Sequence, residues 1–482
     1  MIDLENKKVV VLGLNPSGMA ASRLMAQCGA KVVLIDRLNT NGLERAAKEI
    51  EPLKISVKLG VTALPAEKFD FAVVSPEVLL RDPFLAELKK KEIQTISELE
   101  LGYQQSLCLN IAVTGTNGKT TNTQIIERVL THCHRKTVVC DETRLPLSSV
   151  AAQTKELDFV TLEVSSFQLE HTQFFRPTIA VLLNTAQDHL DRYASMTEYV
   201  QTKARIFANQ QSFDWAIVQS ESLAQLRALN LPVPAKVITF SANNRNADIF
   251  LDRGLIVSRL EDWAGPLLDM DHCKIRGPHN AESLMAALAV CRVLRLPLEQ
   301  TAEALKNYEL PPHRCEVVAE VNGVKFINDS KSTNVGALHR ALISLPEGRA
   351  GEPNVWLIAG GRDKKFDFHD IGPLLSQRVK GAFLIGEARE KIRAAWSLFT
   401  PCTLVNSLLE AVPESAKNAV PGDVVLLSPA CSSFDQFRNY QHRGEVYRDA
   451  VAEWARTTDC VSASGNHKGN ESKKSIELSR QG

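Results

Sequence analysis

Short runs of valine, isoleucine and leucine recur along the chain, and each gives way to a turn and then to a stretch with apolar residues at helical spacing. The first segment opens with KKVVVLG, passes through the loop LNPSG into MAASRLMAQCGA, and returns with KVVLID, FDFAVVS and KEIQTIS. A brief apolar run bounded by turn residues reads as a strand buried on both faces, and strands alternating with helices read as a parallel sheet. LNIAVTG, FVTLEV, IAVLLN, WAIVQ and KVITF repeat the pattern and close with the helix HNAESLMAALAVCRVL; VKFIND, NVWLIAG, GAFLIG and DVVLLS repeat it again. The prolines of Glu309-Leu310-Pro311-Pro312 break the helical pattern between these two series and predict a hinge there. The expected fold class is α/β in three domains, 1–105, 106–310 and 311–458, the first and third Rossmann-like and the central one built on a mostly parallel sheet. Beyond Thr458 the chain runs into the polar SASGNHKGNESKKSIELSRQG, which predicts a disordered tail over 459–482.

A length of 482 residues agrees with three domains of ordinary size. Lys+Arg and Asp+Glu both total 56, so the net charge is zero and the basic footprint of a nucleic-acid binder is missing. An anionic ligand must therefore be held by local features. The ten cysteines are dispersed and never form C-x-x-C, which excludes a disulfide framework or zinc ribbon. His132-Cys133-His134 lacks metal-ligand spacing. No basic leader precedes an apolar run, and no apolar stretch approaches the ~18 residues that cross a bilayer. The expectation is a cytoplasmic monomer with no membrane and no nucleic-acid partner.

Gly115-Thr116-Asn117-Gly118-Lys119-Thr120-Thr121 lies between a buried strand and a helix. That context predicts a phosphate loop. Backbone N–H groups and the helix N-terminus face an anion, Lys119 brings charge to the β/γ-phosphates, and the Thr120 hydroxyl reaches Mg²⁺. Val113 replaces the first Gly of the longer consensus, so a plain Gly-rich turn is the other reading. Glu163 ends the strand FVTLEV, where ligands of open α/β sheets bind and where a carboxylate can reach a nucleotide-bound Mg²⁺. Asp188-His189 follows the strand IAVLLN at the same edge; a structural histidine and a ligand fit equally well. Tyr199, Lys203 and Phe207 are spaced i, i+4, i+8 on one helix face. Spacing alone favours a lysine whose stem lies along that face while its ammonium reaches water. The other reading is a buried amine, which CO₂ can carbamylate into a carboxylate able to bind Mg²⁺.

In the first domain Gly13-Leu14-Asn15-Pro16-Ser17-Gly18 has the outline of a dinucleotide fingerprint, with Asp36 at the end of the second strand. Asn15 occupies the central Gly position, which disfavours a nicotinamide cofactor and leaves a nucleotide held by its base or ribose. In the third domain three loops follow strands: Ser330-Lys331-Ser332-Thr333-Asn334, Gly360-Gly361-Arg362-Asp363-Lys364-Lys365 and Ser428-Pro429-Ala430-Cys431-Ser432-Ser433-Phe434. Turn chemistry explains any one of them. Together, on one sheet edge, their lysines and hydroxyls suit a small dianionic substrate.

GTNGKTT, LEVSSFQLE, NTAQDHLDRY, GPHNAESLMAAL, LPPHR, INDSKSTNVGA, GGRDKKFDF and SPACSSFDQFRNYQHRGEVY occur in this order. Together they resemble the Mur ligases over about residues 1–457, and DSKSTN and SPACSSFDQF resemble the D-glutamate-adding branch in particular. The resemblance implies an ADP-forming ligase of peptidoglycan precursor synthesis that takes ATP, two Mg²⁺ ions, UDP-N-acetylmuramoyl-L-alanine and D-glutamate. It implies a UDP site at Asn15, Pro16, Ser17, Asp36, Arg37, Ser75 and Pro76. ATP contacts are implied at the phosphate loop from Gly115 to Thr121 and at Asn280, Arg314 and Asp329. D-Glutamate would lie near Lys331, Thr333, Lys364, Ser433 and Phe434. It also implies Mg²⁺ ligands at Thr120, Glu163 and His189 and a carbamylated Lys203. Glu77, Asp141-Glu142-Thr143-Arg144, Gln187 and Ser283 depart from the family pattern, mostly on the nucleotide-sugar side.

Overall fold

The computed structural model describes residues 2–190, 192–363 and 366–468, without the side chains of Ala350 and 458–468. The chain divides into two compact units, Met1–Glu309 and Leu310–Gly482.

The first unit carries two sheets. The smaller has five parallel strands in the order Ser56–Lys58, Lys31–Ile35, Lys8–Leu12, Phe71–Val74, Gln94–Ser97. Its apolar runs are continuous because both faces are covered: Val9, Val11, Leu34 and Val73 pack with Leu24 and Met25, and Val10, Leu12, Ile35 and Val74 with Phe84 and Leu88.

The larger sheet has nine strands, parallel from Thr137–Cys140 through Phe159–Glu163, Leu109–Thr114, Ile179–Leu182, Trp215–Gln219 and Lys236–Ser241 to Ile249–Asp252. Leu255–Ser258 and Gly265–Asp269 extend it antiparallel. Leu109–Thr114 is thus flanked by Phe159–Glu163 and Ile179–Leu182, so the phosphate loop emerges between Glu163 and Asn184.

Within the first unit, hydrogen bonds join the two sheets at the seam near residue 105. The Glu100 carboxylate accepts from the backbone N–H groups of Gln173, Phe174 and Phe175 at 2.8, 3.1 and 2.9 Å. Glu98 accepts from the Ser148 N–H at 2.6 Å, and burial pushes its carboxyl up to about 7.

The second unit has a six-stranded sheet in the order Glu316–Val321, Val324–Asn328, Val424–Leu427, Val355–Gly360, Val379–Ile385, Cys402–Leu404, parallel except for the first pair. The strands preceding the three singled-out loops are therefore neighbours. The final helix runs Tyr440–Lys468, and 469–482 lie outside the described residues. Among the described residues no helix is long and apolar enough to cross a membrane.

Candidate active site

The turn after Leu109–Thr114 depends on two glycines. Gly115 has φ 152° and Gly118 φ 87°, and a Cβ at Gly115 would lie 3.0 Å from the Leu183 Cβ. Gly118 starts the helix Lys119–His132 with no side-chain cap, so no side chain of its own blocks the end that attracts anions. Asn184 holds the loop from the next strand. Its Oδ1 accepts from Asn117 N–H at 3.0 Å, its Nδ2 donates to the Asn117 carbonyl at 2.9 Å, and its own carbonyl accepts from Thr116 N–H at 2.9 Å.

Thr120 Oγ1 donates to Glu163 Oε1 at 3.0 Å, which places the hydroxyl and the strand-end carboxylate together. Lys119 Nζ donates to the carbonyls of Gly115 and Thr116 at 3.0 and 3.2 Å. Lys203 Nζ reaches the same Gly115 carbonyl at 3.0 Å. Lys203 is only 1% exposed, so the expectation of a surface lysine is corrected. The reason is non-local: the phosphate loop closes over the helix face, and Tyr199 OH shares a 3.1 Å hydrogen bond with Thr116 Oγ1. Burial, reinforced by the charge of Lys119, holds the Lys203 amine well below the usual lysine range. His189 adopts the left-handed region, φ 56°, with its ring 4.7 Å from Phe167, beside buried Asp188.

Asp141 folds the 141–144 turn on itself. Its Oδ1 accepts from the N–H groups of Thr143 and Arg144 at 2.8 and 2.6 Å, and its Oδ2 from Arg144 Nε at 2.8 Å. The turn sets Glu142 between the two sheets. Ser165 Oγ donates to Glu142 Oε2 at 2.6 Å, and Ser17 Oγ to the Glu142 carbonyl at 2.8 Å. Burial pushes the Glu142 carboxyl up, while Ser165 and Lys119 pull it down.

Asn280 lies in the first turn of the helix Pro278–Val293, its Nδ2 donating to the Arg276 carbonyl at 2.7 Å. Ser283, one turn on, takes a 2.9 Å hydrogen bond on its carbonyl from Asn122 of the phosphate-loop helix.

Among the described residues no three His, Cys, Asp or Glu side chains form a metal cage. The donors at the loop nonetheless fit Mg²⁺, a hard cation that keeps phosphate and water oxygens and needs only one or two protein oxygens. Thr120 and Glu163 supply such a pair.

On the first sheet, Asn15 caps its helix by accepting from Gly18 N–H at 2.9 Å. Asp36 accepts from the N–H groups of Leu14 and Leu38, both at 2.9 Å, and so braces the Gly13–Gly18 loop. Ser75 Oγ donates to the Gly13 carbonyl at 3.2 Å, and Arg37 pairs with Asp82 at 3.3 Å. The expected UDP residues are thus gathered at one sheet edge.

In the second unit Arg443, fully buried, ties the loops together: it donates to Ser330 Oγ and O at 3.0 and 2.7 Å and to the Cys431 carbonyl at 3.1 Å. Arg362 N–H donates to the Ser432 carbonyl at 2.9 Å, joining the second and third loops. Asp329 accepts from Ser428 Oγ at 2.9 Å and Cys315 N–H at 3.2 Å, and burial pushes its carboxyl up to about 6. Lys331 Nζ donates to Tyr440 OH at 3.3 Å. Thr333 is half-buried, Ser433 is buried, and Phe434 is 65% exposed. Arg314 directly precedes Cys315; Lys364 lies outside the described residues.

Two family models match the chain, the Mur ligase middle domain over residues 113–291 and the Mur ligase glutamate ligase domain over 313–431. A UDP-N-acetylmuramoylalanine–D-glutamate ligase of Acidobacterium capsulatum is 37% identical over 454 residues, covering 93% of this chain and 97% of that relative. The chain belongs to the Mur ligase family. The ligase of the same name from Geotalea uraniireducens is 38% identical, covering 93% and 98% of the two chains. The Mur ligase fold recurs in the MurF ligase of Thermotoga maritima in complex with ADP, with TM-score 0.60, 16% identity and coverage of 94% and 100%. It recurs also in the UDP-N-acetylmuramate–alanine ligase MurC of Thermotoga maritima, with TM-score 0.57, 17% identity and coverage of 93% and 100%.

Several residues that organise this Mur ligase escape a reading of the sequence. Asn184, Glu142, Tyr440 and Arg443 act through contacts to distant segments. Only Asn184 carried a signal, a polar residue at the end of an apolar strand.

Proposed function

We propose that this Mur ligase joins D-glutamate to UDP-N-acetylmuramoyl-L-alanine in peptidoglycan precursor synthesis, releasing ADP and phosphate. The observation that carries the reading is the phosphate loop, where Lys119 and the buried Lys203 meet at the Gly115 carbonyl beside Thr120 and Glu163. A carboxylate resists attack by an amine because its charge repels the nucleophile and oxide is its leaving group. Transfer of the γ-phosphoryl group to the alanyl carboxylate gives an acyl phosphate and ADP. The D-glutamate amine then adds to the acyl carbon, and phosphate leaves from the tetrahedral intermediate as the amine loses its proton. Positioning and charge stabilisation do most of this work.

The Gly115–Thr121 backbone and Lys119 hold the β- and γ-phosphates, with Asn280, Arg314 and Asp329 around the rest of ATP. Thr120, Glu163, His189 and a carbamylated Lys203 would hold two Mg²⁺ ions, which would supply positive charge to the phosphate oxygens. The depressed basicity of Lys203 supports that carbamate, because CO₂ reacts with the neutral amine. Residues 1–105 hold the UDP moiety through Asn15, Pro16, Ser17, Asp36, Arg37, Ser75 and Pro76; 106–310 hold ATP. Residues 311–458 hold D-glutamate through Lys331, Thr333, Lys364, Ser433 and Phe434. The enzyme works as a cytoplasmic monomer.

ADP release with ATP, Mg²⁺ and UDP-N-acetylmuramoyl-L-alanine should require D-glutamate and fail with L-glutamate or D-alanine. D-Alanine leaves the donors for the side-chain carboxylate unpaired, and the L-enantiomer misplaces the amine. Equal turnover with another amino acid would assign a different ligation.

A further inference from the structure

Arg192, at the end of NTAQDHLDRY, is a buried arginine that lies outside the chemistry above. Its side chain is 5% exposed and that of its partner Glu170 is 3% exposed. The guanidinium donates to Glu170 Oε1 through Nε at 2.7 Å and to Oε2 through Nη2, a two-pronged ion pair. Its remaining reach goes across the seam to the smaller sheet. Nη1 donates to the Pro76 carbonyl at 3.0 Å and Nη2 to the Val78 carbonyl at 2.9 Å. The ring of Phe167 lies under the guanidinium at 4.3 Å, and the same ring meets His189 at 4.7 Å. Tyr193 OH donates to Glu170 Oε1 at 2.7 Å, and the backbone N–H groups of Arg192 and Tyr193 both donate to the His189 carbonyl at 3.0 Å.

The turn that Arg192 grips is Ser75–Val78, closed by Val78 N–H on the Ser75 carbonyl at 3.0 Å and tied to the first glycine loop through Ser75 Oγ. A surface turn with two carbonyls facing outward has many conformations; two charge-assisted hydrogen bonds from one buried planar group leave it one. A lysine cannot replace that geometry, since a single ammonium cannot hold a carboxylate with two parallel bonds and also span two carbonyls.

We infer that Arg192 is a positioning residue for the nucleotide-sugar acceptor: it fixes the Ser75–Val78 turn on one side while being anchored to the His189 segment on the other. The inference rests on the reading that the first sheet takes the UDP moiety. It assigns to one side chain the register between the acceptor's nucleotide end and the phosphate loop, where its carboxylate must arrive. Misplacing the turn should weaken acceptor binding and lower the fraction of bound acceptor whose carboxylate meets the γ-phosphate, leaving the ATP and D-glutamate sites as they are.

The test uses the full chain carrying Arg192→Lys, with Glu170→Gln as a second variant that keeps the guanidinium but weakens its anchor. UDP-N-acetylmuramoyl-L-alanine binding is measured by calorimetry, together with the KM of each substrate. The acceptor Kd and KM should rise at least tenfold in Arg192→Lys and by a smaller factor in Glu170→Gln, with KM for D-glutamate within twofold of wild type. ATP binding retained by both variants reports an intact unit. An unchanged acceptor Kd in a variant that binds ATP overturns the inference; if Arg192→Lys binds neither nucleotide, an unchanged acceptor Kd in Glu170→Gln overturns it instead. Unchanged acceptor affinity in Ser17→Ala and Asp36→Ala variants would instead sink the UDP assignment on which the inference stands.

Discussion

The phosphate loop of the first unit and the loop cluster of the second solve opposite electrostatic problems. At the phosphate loop, charge is concentrated: two lysines meet at one carbonyl, Lys203 is stripped of water, and the helix start has no side-chain cap. In the second unit a buried charge is already answered, because Arg443 directs its donors to Ser330 and Cys431 and so joins the first and third loops, to which the Arg362 N–H ties the second. The residues proposed to meet D-glutamate, Lys331, Ser433 and Phe434, ride on that frame. One region gathers charge to meet a polyanion, and the other is braced by its own buried guanidinium. Mutations should therefore separate them: the first loses rate with its fold intact, the second loses fold.

The largest effect is expected for Lys119→Ala, which should lower kcat by roughly 10³-fold or more with unchanged thermal unfolding, since a preorganised charge is lost where phosphoryl charge develops. Near-normal turnover in a folded variant would remove the phosphate-loop assignment. Lys203→Ala should cost roughly 10²-fold, with partial return of activity in short-chain carboxylic acids that can stand in for the proposed carbamate. Full activity without any addition would take this lysine out of the mechanism.

The second region is probed by Arg443→Met. It leaves the buried Ser330 and Cys431 carbonyls unpaired, and at about 1–3 kcal/mol each the second unit should lose roughly 3 kcal/mol in denaturant unfolding. ATP binding to the first unit should survive. An unfolding curve that overlays wild type would mean the frame is held by something else.

Asp329→Asn should act smallest and in the other direction. The carboxyl ionises near 3.8 when unconstrained and about 6 in the folded protein, pushed up by burial. The folded state is therefore penalised progressively as pH climbs between those values, and by a constant amount above them. Removing the charge should raise stability above pH 6, by at most roughly 3 kcal/mol, with no gain below pH 4. A loss of stability at pH 8 would show that Ser428 and the Cys315 N–H hold the carboxylate ionised.

The same contrast explains what the sequence discloses. GTNGKTT and the strand-end Glu163 were legible because their chemistry is local: a strand, a turn and a helix within a few residues. The parallel strands were legible for the same reason, since their apolar runs are continuous. Spacing alone put Lys203 at the surface because its burial comes from a loop far away in the chain, which no spacing on its own helix reports; the motif resemblance had pointed to it. Arg443 and Arg192 read as ordinary basic residues for the same cause. The hairpin joining Glu316–Val321 to Val324–Asn328 is a different miss. Its turn is Asn322-Gly323, with φ 51° and 75°, a two-residue signal present in the sequence. The Arg253-Gly254 turn, with φ 48° and 84°, is built alike without the asparagine. Strands as short as Ser56–Lys58 and Cys402–Leu404 give no pattern to read.

The central claim is that the acceptor's carboxylate is activated by the γ-phosphoryl group at the first unit's loop. Acceptor labelled with ¹⁸O in the alanyl carboxylate, turned over with ATP and D-glutamate, tests it directly. An acyl phosphate must pass one carboxylate oxygen to the departing phosphate, so the released phosphate should carry one ¹⁸O per product formed. Phosphate free of label, alongside normal amide formation, would contradict the account.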